Sequence, residues 1–431
     1  MKATASLLLL LLLVISPALG QDADAELQKV LEASKADASR IRGLPFLMDV
    51  PVKKISPADF QKQMMRDLRR AFGAGEQLAH MEKLLQVLRI LPEGMTIQKL
   101  TQDFFPATVA ANYDPVDKKI SFLKAYKKPA TMRVVMVHEL THALQDQHFN
   151  LNHLVLSREL TFDRLLALGA LVEGDAKDTE LTFAMGPMLA GMTLEAISQF
   201  GNMQAQAYLA RMKDFPRGIA RPFIFQYLDG LVFVEAVKRA GDGFASIDLA
   251  FSDPPVTTEQ ILHPERYLTR DRPTVIVPPE PPEGYQVLVA NTLGELGVSI
   301  VLSGHLGSAY QASMAAGWDG DRVLLLGSAD PEPMLVWYTT WDTAEDAKEF
   351  AEAAIQMFRI RHPKAEAKLR EDGLGLTLLA DKTAHSVSLV DKDVILLEQV
   401  PAERYREVAQ ALNQAVKEEL RVHRSPFQIG K

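Results

Sequence analysis

Prolines in the middle of the chain restrict its fold more than any other feature. In the stretch DRPTVIVPPEPPEGYQ, from Asp271 to Gln286, five of sixteen residues are proline. Proline lacks a backbone N–H and clashes with the preceding helical turn, so no continuous helix passes through this segment. With 431 residues, the chain is too long for one ordinary core, and its hydrophobic fraction of 47% is enough to form a sizeable core. We therefore predict two globular units, residues 21–270 and 287–431, joined by a stiff connector at 271–286.

The first twenty residues have the pattern of a secretory signal peptide. Lys2 precedes an apolar block at residues 7–15, and the small residues Ala18 and Gly20 follow at the spacing that signal peptidase prefers. A block of nine residues is far shorter than the roughly 20 needed to span a bilayer. We predict that residues 1–20 are a signal peptide and that the mature chain, secreted or periplasmic, is not stably inserted in a membrane. An uncleaved anchor helix is the alternative.

Composition narrows the environment and the partners further. The chain contains no cysteine, which excludes a lipid-attachment motif and a disulfide framework. Its formal net charge is −8, and we find no long cluster of lysine and arginine of the kind that binds phosphate backbones. Nucleic acid is therefore not an expected partner.

Hydrophobic periodicity predicts an α+β fold. Apolar residues recur at helical spacing in five main segments, which are residues 24–38, 57–91, 134–149, 163–185 and 222–239. Residues 108–123 predict a β-hairpin that turns at Asp114-Pro115-Val116-Asp117. The first unit should therefore be mainly helical with a small β-hairpin or sheet.

The second unit mixes both patterns and contains no catalytic motif. Its strand-like runs are RVLLLG, MLVWYTTW, LTLLAD, HSVSLV and DVILLEQV, and its helical runs are AEDAKEFAEAAIQMF and AERYREVAQALNQAVKEEL. We predict a smaller α+β accessory domain. Its tryptophans, Trp318, Trp337 and Trp341, are more typical of a core than of a binding groove.

The run VVMVHELTHALQDQHF, from Val134 to Phe149, carries the motif HExxH. Positions i and i+4 of a helix lie on one face about 6 Å apart along the axis, so His138 and His142 can bind one ion. This arrangement suits tetrahedral Zn²⁺. Glu139 can reach an activated water without being a ligand, which makes it the candidate general base. Two histidines and a glutamate in so apolar a helix would be costly without an ion.

The sequence HELTHAL resembles the active-site helix of the thermolysin-like zinc metallopeptidases, the gluzincins. The segments HELTHALQDQHF, ALVEGDA and TEQxLHPExY are similar to those of a group of uncharacterised exported bacterial proteins, over residues 108–267. The resemblance implies a zincin-like metallopeptidase domain that hydrolyses peptide bonds of a peptide or protein substrate. It also implies that the third zinc ligand is a glutamate on a following helix.

Two residues are candidates for the third ligand. His148 has metzincin spacing, but Gln145 stands where those enzymes place glycine to turn the chain. If the helix continues, His148 lies about 15 Å from His138 along the axis and cannot share its ion. Glu173 is the better candidate, because in LLALGALVEGDAKD its carboxylate is the first polar group after an apolar helical run.

Small residues beside this glutamate, Gly169, Ala170 and Gly174, would let two helices approach closely. Thermolysin-like enzymes have an aspartate four residues after the ligand glutamate, where this chain has Lys177. The residue that orients a histidine ligand is therefore left open among Asp146, Asp175 and Asp178.

Zinc-dependent amide hydrolysis also needs a donor to the developing oxyanion, and we consider three residues for this role. His263 lies in the polar segment TTEQILHPERY, which ends with Tyr267, and Tyr227 lies in RPFIFQYLDGLVF. The hairpin at residues 108–123 resembles the edge-strand region that holds an extended peptide in zinc peptidases. The alternative is that both of its strands are buried within a sheet.

Two functions from different classes remain at this stage. The first is an exported zinc metallopeptidase with ligands His138, His142 and Glu173 and the base Glu139. The second is a non-catalytic exported scaffold, whose zinc is structural and whose C-terminal domain binds a protein or cell-envelope partner. A structural zinc site is usually closed by a fourth protein ligand, for which His148 and Asp175 are the candidates.

Overall fold

The computed structural model of the chain describes residues 23–103, 111–123, 129–156, 160–211, 215–307, 313–330, 332–369 and 375–419. The predicted signal peptide lies outside these ranges. Among the described residues, no helix is both long and apolar enough to cross a membrane.

Helices make up most of the N-terminal part of the chain. They are α1 (Ala23–Arg42), α2 (Pro57–Phe72), α3 (Glu76–Val87), α4 (Ile97–Asp103), α5 (Pro129–Phe149), α6 (Leu151–Leu156), α7 (Phe162–Met185), α8 (Pro187–Gly191), α9 (Leu194–Arg211), α10 (Arg217–Ala240), α11 (Phe244–Ser252), α12 (Thr258–Leu262) and α13 (Pro264–Thr269). The run predicted over residues 57–91 is divided between α2 and α3. Gly73 and Gly75 lie at the break with φ of 85° and 61°, a left-handed conformation that interrupts a helix.

A three-stranded sheet lies among these helices. It consists of β1 (Val52–Ile55), β2 (Ala111–Asp114) and β3 (Lys119–Leu123), in the order β1-β3-β2. β2 and β3 pair antiparallel, which confirms the predicted hairpin over its described residues. Asp114 stabilises the turn, because its Oδ1 accepts hydrogen bonds from the N–H groups of Val116 and Asp117.

The C-terminal part of the chain contains, in chain order, β4 (Thr274–Val277), β5 (Gln286–Asn291), α14 (Gly294–Leu306), β6 (Trp318–Gly327), β7 (Met334–Trp341), α15 (Ala344–Arg361), β8 (Glu366–Leu369), β9 (Gly375–Ala380), β10 (Thr383–Val390), β11 (Asp393–Pro401), a short 3-10 helix (Ala402–Arg404), α16 (Tyr405–Leu412) and β12 (Val416–Glu419). Seven of these strands form one sheet in the order β5-β6-β7-β11-β10-β9-β8. β12 pairs with β4, outside the large sheet.

The α+β class is confirmed, with a helical N-terminal region and a sheet-rich C-terminal region. All five strand-like runs of the second unit are strands, and its three tryptophans are buried in the core. The helix predicted for the last run is wrong at its end. It stops at Leu412, and residues 416–419 form a strand because they pair with β4, which lies within the proline-rich segment.

The two long helices α7 and α10 approach each other closely. A methyl group on Gly174 would overlap the carbonyl oxygen of Gly230, and one on Gly230 would overlap that of Ala170. The glycines therefore allow backbone contact, as predicted for the small residues of α7. Gly174 does not end the helix, which continues to Met185.

One cluster of buried hydrophobic side chains contains residues from both sides of the proline-rich segment. It includes Leu166 and Phe233 from the helical region together with Leu296 and Trp337 from the region that follows. The two predicted units therefore pack on each other through apolar side chains, and their exact boundary stays a prediction.

Candidate metal centre

α5 carries its polar groups in an almost entirely buried environment. Val135, Val137, Leu140 and Leu144 are fully buried around its axis, and so are the histidines of HExxH. α5 packs against α7, which brings the buried carboxylate of Glu173 opposite the histidines. A carboxylate and two imidazoles removed from water in this way need partners inside the protein.

The three predicted ligands converge on one point. The Nε2 atoms of His138 and His142 are 3.1 Å apart, and Glu173 Oε2 lies 3.2 Å from the first and 3.6 Å from the second. Ligand atoms around a tetrahedral ion with bonds of about 2.0–2.1 Å are about 3.3–3.4 Å apart. The distances therefore match those of three ligands of one metal ion.

Contacts on the far side of each ring orient both histidines. Nδ1 of His138 donates to Oε2 of Glu180 at 3.1 Å, and Nδ1 of His142 donates to Oε1 of Gln145 at 2.9 Å. Each Nδ1 therefore carries a proton, and Nε2 is the nitrogen of each ring that can share a proton with Glu173 or bind an ion. Three acceptors this close repel one another unless a proton or a metal ion lies between them.

The pKa values of the cluster also show that positive charge is favoured between these three side chains. Burial lowers the pKa of His138, but hydrogen bonds to Glu173 and Glu180 outweigh it and raise the pKa to about 9. Burial raises the pKa of Glu173, whereas the charges of His142 and His138 lower it to below its usual range. Within the described part of the chain, the second oxygen of Glu173, Oε1, is buried and makes no hydrogen bond of ordinary geometry. This unpartnered oxygen and the donor set of two imidazoles and one carboxylate fit a zinc ion.

Glu139, beside the first histidine of HExxH, contacts the small sheet. Its Oε2 accepts a hydrogen bond from the backbone N–H of Tyr113 in β2 at 2.6 Å. Burial is the largest influence on this carboxyl and raises its pKa. A carboxylate that is oriented and made more basic in this way suits the role of a proton acceptor.

Tyr227 of α10 packs against the cluster. Its ring stacks on that of His138 with centroids 5.9 Å apart, and its buried hydroxyl lies beside the carboxylate of Glu173. Among the residues that the structure describes, the hydroxyl makes no hydrogen bond of ordinary geometry. Burial, followed by the charges of Glu173 and Glu139, raises the pKa of Tyr227 well above 10. The hydroxyl therefore keeps its proton and can donate it in a hydrogen bond.

The structure places His263 away from this cluster. Its Nε2 lies 3.1 Å from Oε1 of Glu295, which is near Asp163 at the start of α7. Asp163 precedes Glu173 by ten residues, or about 15 Å of helix. His263 therefore has its hydrogen-bond partner near the other end of α7 from Glu173, which does not support its assignment as a catalytic donor, and that assignment stays a prediction. Tyr267 is also otherwise engaged, since its hydroxyl donates to the carbonyl of Asp253.

His148 is not part of the centre either. α5 stays helical past Gln145, and Nε2 of His148 lies 2.8 Å from the carbonyl oxygen of Pro45. The ring also lies beside Phe149, with centroids 6.1 Å apart. Because the helix continues, His148 cannot join His138 and His142 at one ion, as expected from the absence of a metzincin glycine at position 145.

The three aspartates considered as orienting residues have other partners. Asp146 binds the Tyr113 hydroxyl and Lys118, Asp178 binds Lys238, and Asp175 binds Arg42 and the side-chain amide of Gln145. None of them contacts a histidine ligand directly among the described residues.

Glu180 and Gln145 are the residues that orient the histidines, and neither is predicted in this role from the sequence alone. Glu180 follows Glu173 by seven residues, two helical turns on the same face, which was an available signal. Gln145 follows His142 by three residues and was considered only as an obstacle to a turn. Lys177, the departure from the thermolysin-like pattern, binds Oε1 of Glu180 at 2.7 Å. Against the effect of burial, Lys177 and His138 lower the pKa of Glu180 to about 2.

A second group of two histidines and a glutamate occurs in the C-terminal region, formed by His362, His385 and Glu398. It does not resemble a metal centre. The two rings stack face to face with centroids 3.6 Å apart, so their in-plane lone pairs do not converge. Nδ1 of His385 already accepts the N–H of Gln399, and Glu398 is paired with Arg361.

Comparison with known proteins bears only on the C-terminal region. Residues 285–409 are similar to a protein family described as a domain of unknown function, DUF8575. This match does not include His138, His142 or Glu173. Nothing among curated proteins or solved structures matches the chain.

Proposed function

We propose that this protein is an exported zinc-dependent metallopeptidase of the gluzincin kind. The observation that carries the proposal is the convergence of His138, His142 and Glu173 beside the buried carboxylate of Glu139. Two imidazoles and a carboxylate leave room for a fourth, exchangeable ligand, which is the donor set of catalytic rather than structural zinc sites. The N-terminal signal pattern of the sequence supports export.

A zinc ion held by these three residues would act as a Lewis acid, making water a better nucleophile and polarising the carbonyl of a peptide bond. Glu139 is the base that accepts the proton of the attacking water and then delivers it to the leaving amine. The N–H of Tyr113 holds one oxygen of Glu139, which fixes the orientation of the carboxylate. Burial raises the pKa of Glu139 and so favours its acceptance of the proton.

Tyr227 supplies the hydrogen bond to the carbonyl oxygen as negative charge develops on it. Its hydroxyl lies beside Glu173, is buried and protonated, and makes no hydrogen bond of ordinary geometry with the described residues, so it can turn to donate to a substrate. Preorganised donors of this kind stabilise the transition state of acyl transfer more than the ground state.

The position of β2 supports a peptide as the substrate. β3 is its only strand neighbour within the described part of the chain, and the N–H of Tyr113 in β2 reaches Glu139. An extended peptide aligned with this strand would therefore pass beside the base. Main-chain pairing of this kind binds peptides with little dependence on their side chains.

The alternative, a scaffold with a structural zinc, is less well supported. The ligands are almost fully buried, as they would be in a structural site, but such a site needs a fourth protein ligand. Both candidates are engaged elsewhere, His148 with Pro45 and Asp175 with Arg42.

The test combines metal analysis with proteolysis. The chain without residues 1–20 is purified, loaded with zinc and dialysed, and its metal content is measured by mass spectrometry. A broad peptide library is then incubated with the protein, with and without a chelator, and with zinc restored. We expect one zinc per chain and cleavage that the chelator abolishes and zinc restores. Stoichiometric zinc without chelator-sensitive cleavage would contradict a peptidase.

A further inference from the structure

A chain of buried polar contacts connects the N-terminal helix to one of the metal-binding histidines. Nε of Arg42, in the last turn of α1, donates to Oδ2 of Asp175 at 3.0 Å. The same oxygen accepts a hydrogen bond from Nε2 of Gln145 at 2.9 Å. Oε1 of Gln145 lies 2.9 Å from Nδ1 of His142. Arg42, Asp175, Gln145 and His142 are all buried, so water does not compete for these bonds.

The direction of every bond in this chain is fixed. The amide nitrogen of Gln145 has two acceptors, Oδ2 of Asp175 and the carbonyl oxygen of Val172 at 2.9 Å. The amide oxygen must therefore face His142, and an oxygen can only accept. Nδ1 of His142 consequently carries the proton, and its Nε2 presents a lone pair to Glu173 and to the proposed ion.

Arg42 holds the carboxylate of Asp175 in place at this depth. A buried carboxylate that loses its donors is costly, so it moves towards other polar groups or water. The guanidinium itself is held from three sides, by Asp175, by Oδ1 of Asp248, which lies 2.6 Å from Nη2, and by Phe244, whose ring centroid lies 4.8 Å from Cζ. Loss of Arg42 would leave Asp175 free to move away from Gln145, after which the Gln145 amide could rotate.

We propose that Arg42 is a positioning residue of the metal centre, acting on His142 through Asp175 and Gln145. The proposal rests on the proposed function, in that His142 is taken to be a ligand. It makes α1, the first described helix of the chain, part of the apparatus that sets metal affinity. Outer contacts that fix the ring orientation of a histidine ligand typically change metal affinity about 10- to 100-fold.

The first test compares Arg42→Met with Arg40→Met, a matched change in the same helical turn. Arg40 is exposed and pairs only with Asp37 among the described contacts. Zinc affinity is measured by competition with a chromophoric chelator, and folding by circular dichroism and thermal unfolding. We expect Arg42→Met to bind zinc about 10- to 100-fold more weakly and Arg40→Met to match the unmodified protein.

A second test leaves Arg42 in place and reverses one bond of the chain. Gln145→Glu sets two carboxylates against each other and should weaken zinc binding about 10-fold or more. Asp175→Asn should weaken it less, because its amide oxygen can still accept from both Arg42 and Gln145. In the double variant, the carboxylate introduced at position 145 again accepts from His142, while the amide introduced at position 175 donates to that carboxylate and accepts from Arg42. Recovery of zinc affinity in the double variant would support the series of hydrogen bonds from Arg42 to His142. Losses of zinc affinity that simply add in the double variant would overturn it.

Two readouts separate this inference from the proposed function. In the metal-free protein, nitrogen NMR of the imidazoles reports the tautomer of His142, which we expect to be protonated at Nδ1 and to become mixed in Arg42→Met, where the Gln145 amide can rotate. If the unmodified protein binds no zinc, the proposed function fails. If it binds zinc and the folded Arg42→Met variant binds it equally well with an unchanged tautomer, the positioning chain is refuted.

Discussion

Glu180 accepts a hydrogen bond from Nδ1 of His138 at 3.1 Å, while Glu173, seven residues earlier on the same helix, faces Nε2 of that ring at 3.2 Å. One face of α7 therefore contacts both nitrogens of a single histidine. One carboxylate is placed to share an ion with the ring, and the other sets which nitrogen is free to bind it.

Replacing Glu180 should weaken metal binding without removing it. Glu180→Ala takes away the acceptor of His138 Nδ1–H, so the ring loses its fixed tautomer. We expect zinc affinity to fall about 10- to 100-fold and Glu180→Gln, which retains an acceptor oxygen, to lose less. Chelator competition measures both. Glu352→Ala, on an exposed face of α15, is the control, and an equal loss there would show that the effect is not specific.

Replacing Glu173 should abolish stoichiometric zinc binding. Glu173→Ala removes the only carboxylate among the three proposed ligands and leaves two neutral imidazoles, a set too weak to retain zinc against dialysis. Metal content per chain, measured by mass spectrometry, should fall from about one towards zero. A variant that keeps a full equivalent of zinc would show that Glu173 is not a ligand.

Replacing Glu139 should separate metal binding from chemistry. Glu139→Gln keeps the shape of the side chain and an oxygen that can accept the N–H of Tyr113, but it cannot take up a proton. We expect zinc content to stay at one per chain while kcat falls about 10²- to 10⁴-fold. Full activity in this variant would exclude Glu139 as the general base.

Removal of the Tyr227 hydroxyl should affect the transition state alone. Tyr227→Phe preserves the ring that stacks on His138 and removes only the proposed donor to the carbonyl oxygen. We expect kcat to fall about 10²- to 10³-fold with zinc affinity unchanged. His263→Ala is the comparison variant, because His263 is bonded to Glu295 and should leave both quantities as they are. A fall in kcat in His263→Ala, with no change in Tyr227→Phe, would instead assign the donor role to His263.

Asp163, at the start of α7, should make stability depend on pH. Burial raises its pKa to about 7, against an ordinary value of about 3.9 in the unfolded chain. Between these values the folded protein holds a proton that the unfolded chain has released. The free energy of unfolding should therefore fall with rising pH, by up to about 1.4 kcal/mol per pH unit from this group, and level off above about pH 7.

Asp163→Asn tests this dependence, since its amide oxygen can still accept the two hydrogen bonds from Thr258. Urea unfolding of the metal-free proteins at pH 5, 6, 7 and 8 should show the variant gaining stability relative to the unmodified chain as pH rises. Asp49→Asn, at an exposed position, should show no such trend. A difference that stays constant with pH would mean that Asp163 is ionised throughout.

Local spacing was sufficient to predict the central elements of the candidate site. His138 and His142 are one helical turn apart in an apolar run, and the structure shows them with their Nε2 atoms 3.1 Å apart. The apolar surroundings of Glu173 indicated a buried carboxylate, and the glycine beside it indicated a close helix contact, which is the contact between Gly174 and Gly230. These inferences succeeded because they depend on period and burial, which are properties of a single helix.

Local propensity was not sufficient where another part of the chain offered a better partner. Residues 416–419 have a helical pattern but form β12, because the N–H and C=O groups of β4 are available to pair with them. His263 lies in a polar segment typical of functional loops, but its partner Glu295 comes from the C-terminal region. In both cases the deciding contact joins segments that are distant in sequence.

The sequence by itself determined the set of candidate ligands, with His138 and His142 on one face of α5 and Glu173 in an apolar stretch of α7, because helical geometry ties residues four positions apart to one face and because burial follows apolar neighbours. Only the tertiary structure decided what surrounds that set. Arg42 reaches Asp175 across 133 residues, and Tyr113 reaches Glu139 from a strand. Such pairs follow from how helices and strands pack in three dimensions, and burial makes each of them matter because buried polar groups cannot be satisfied by water.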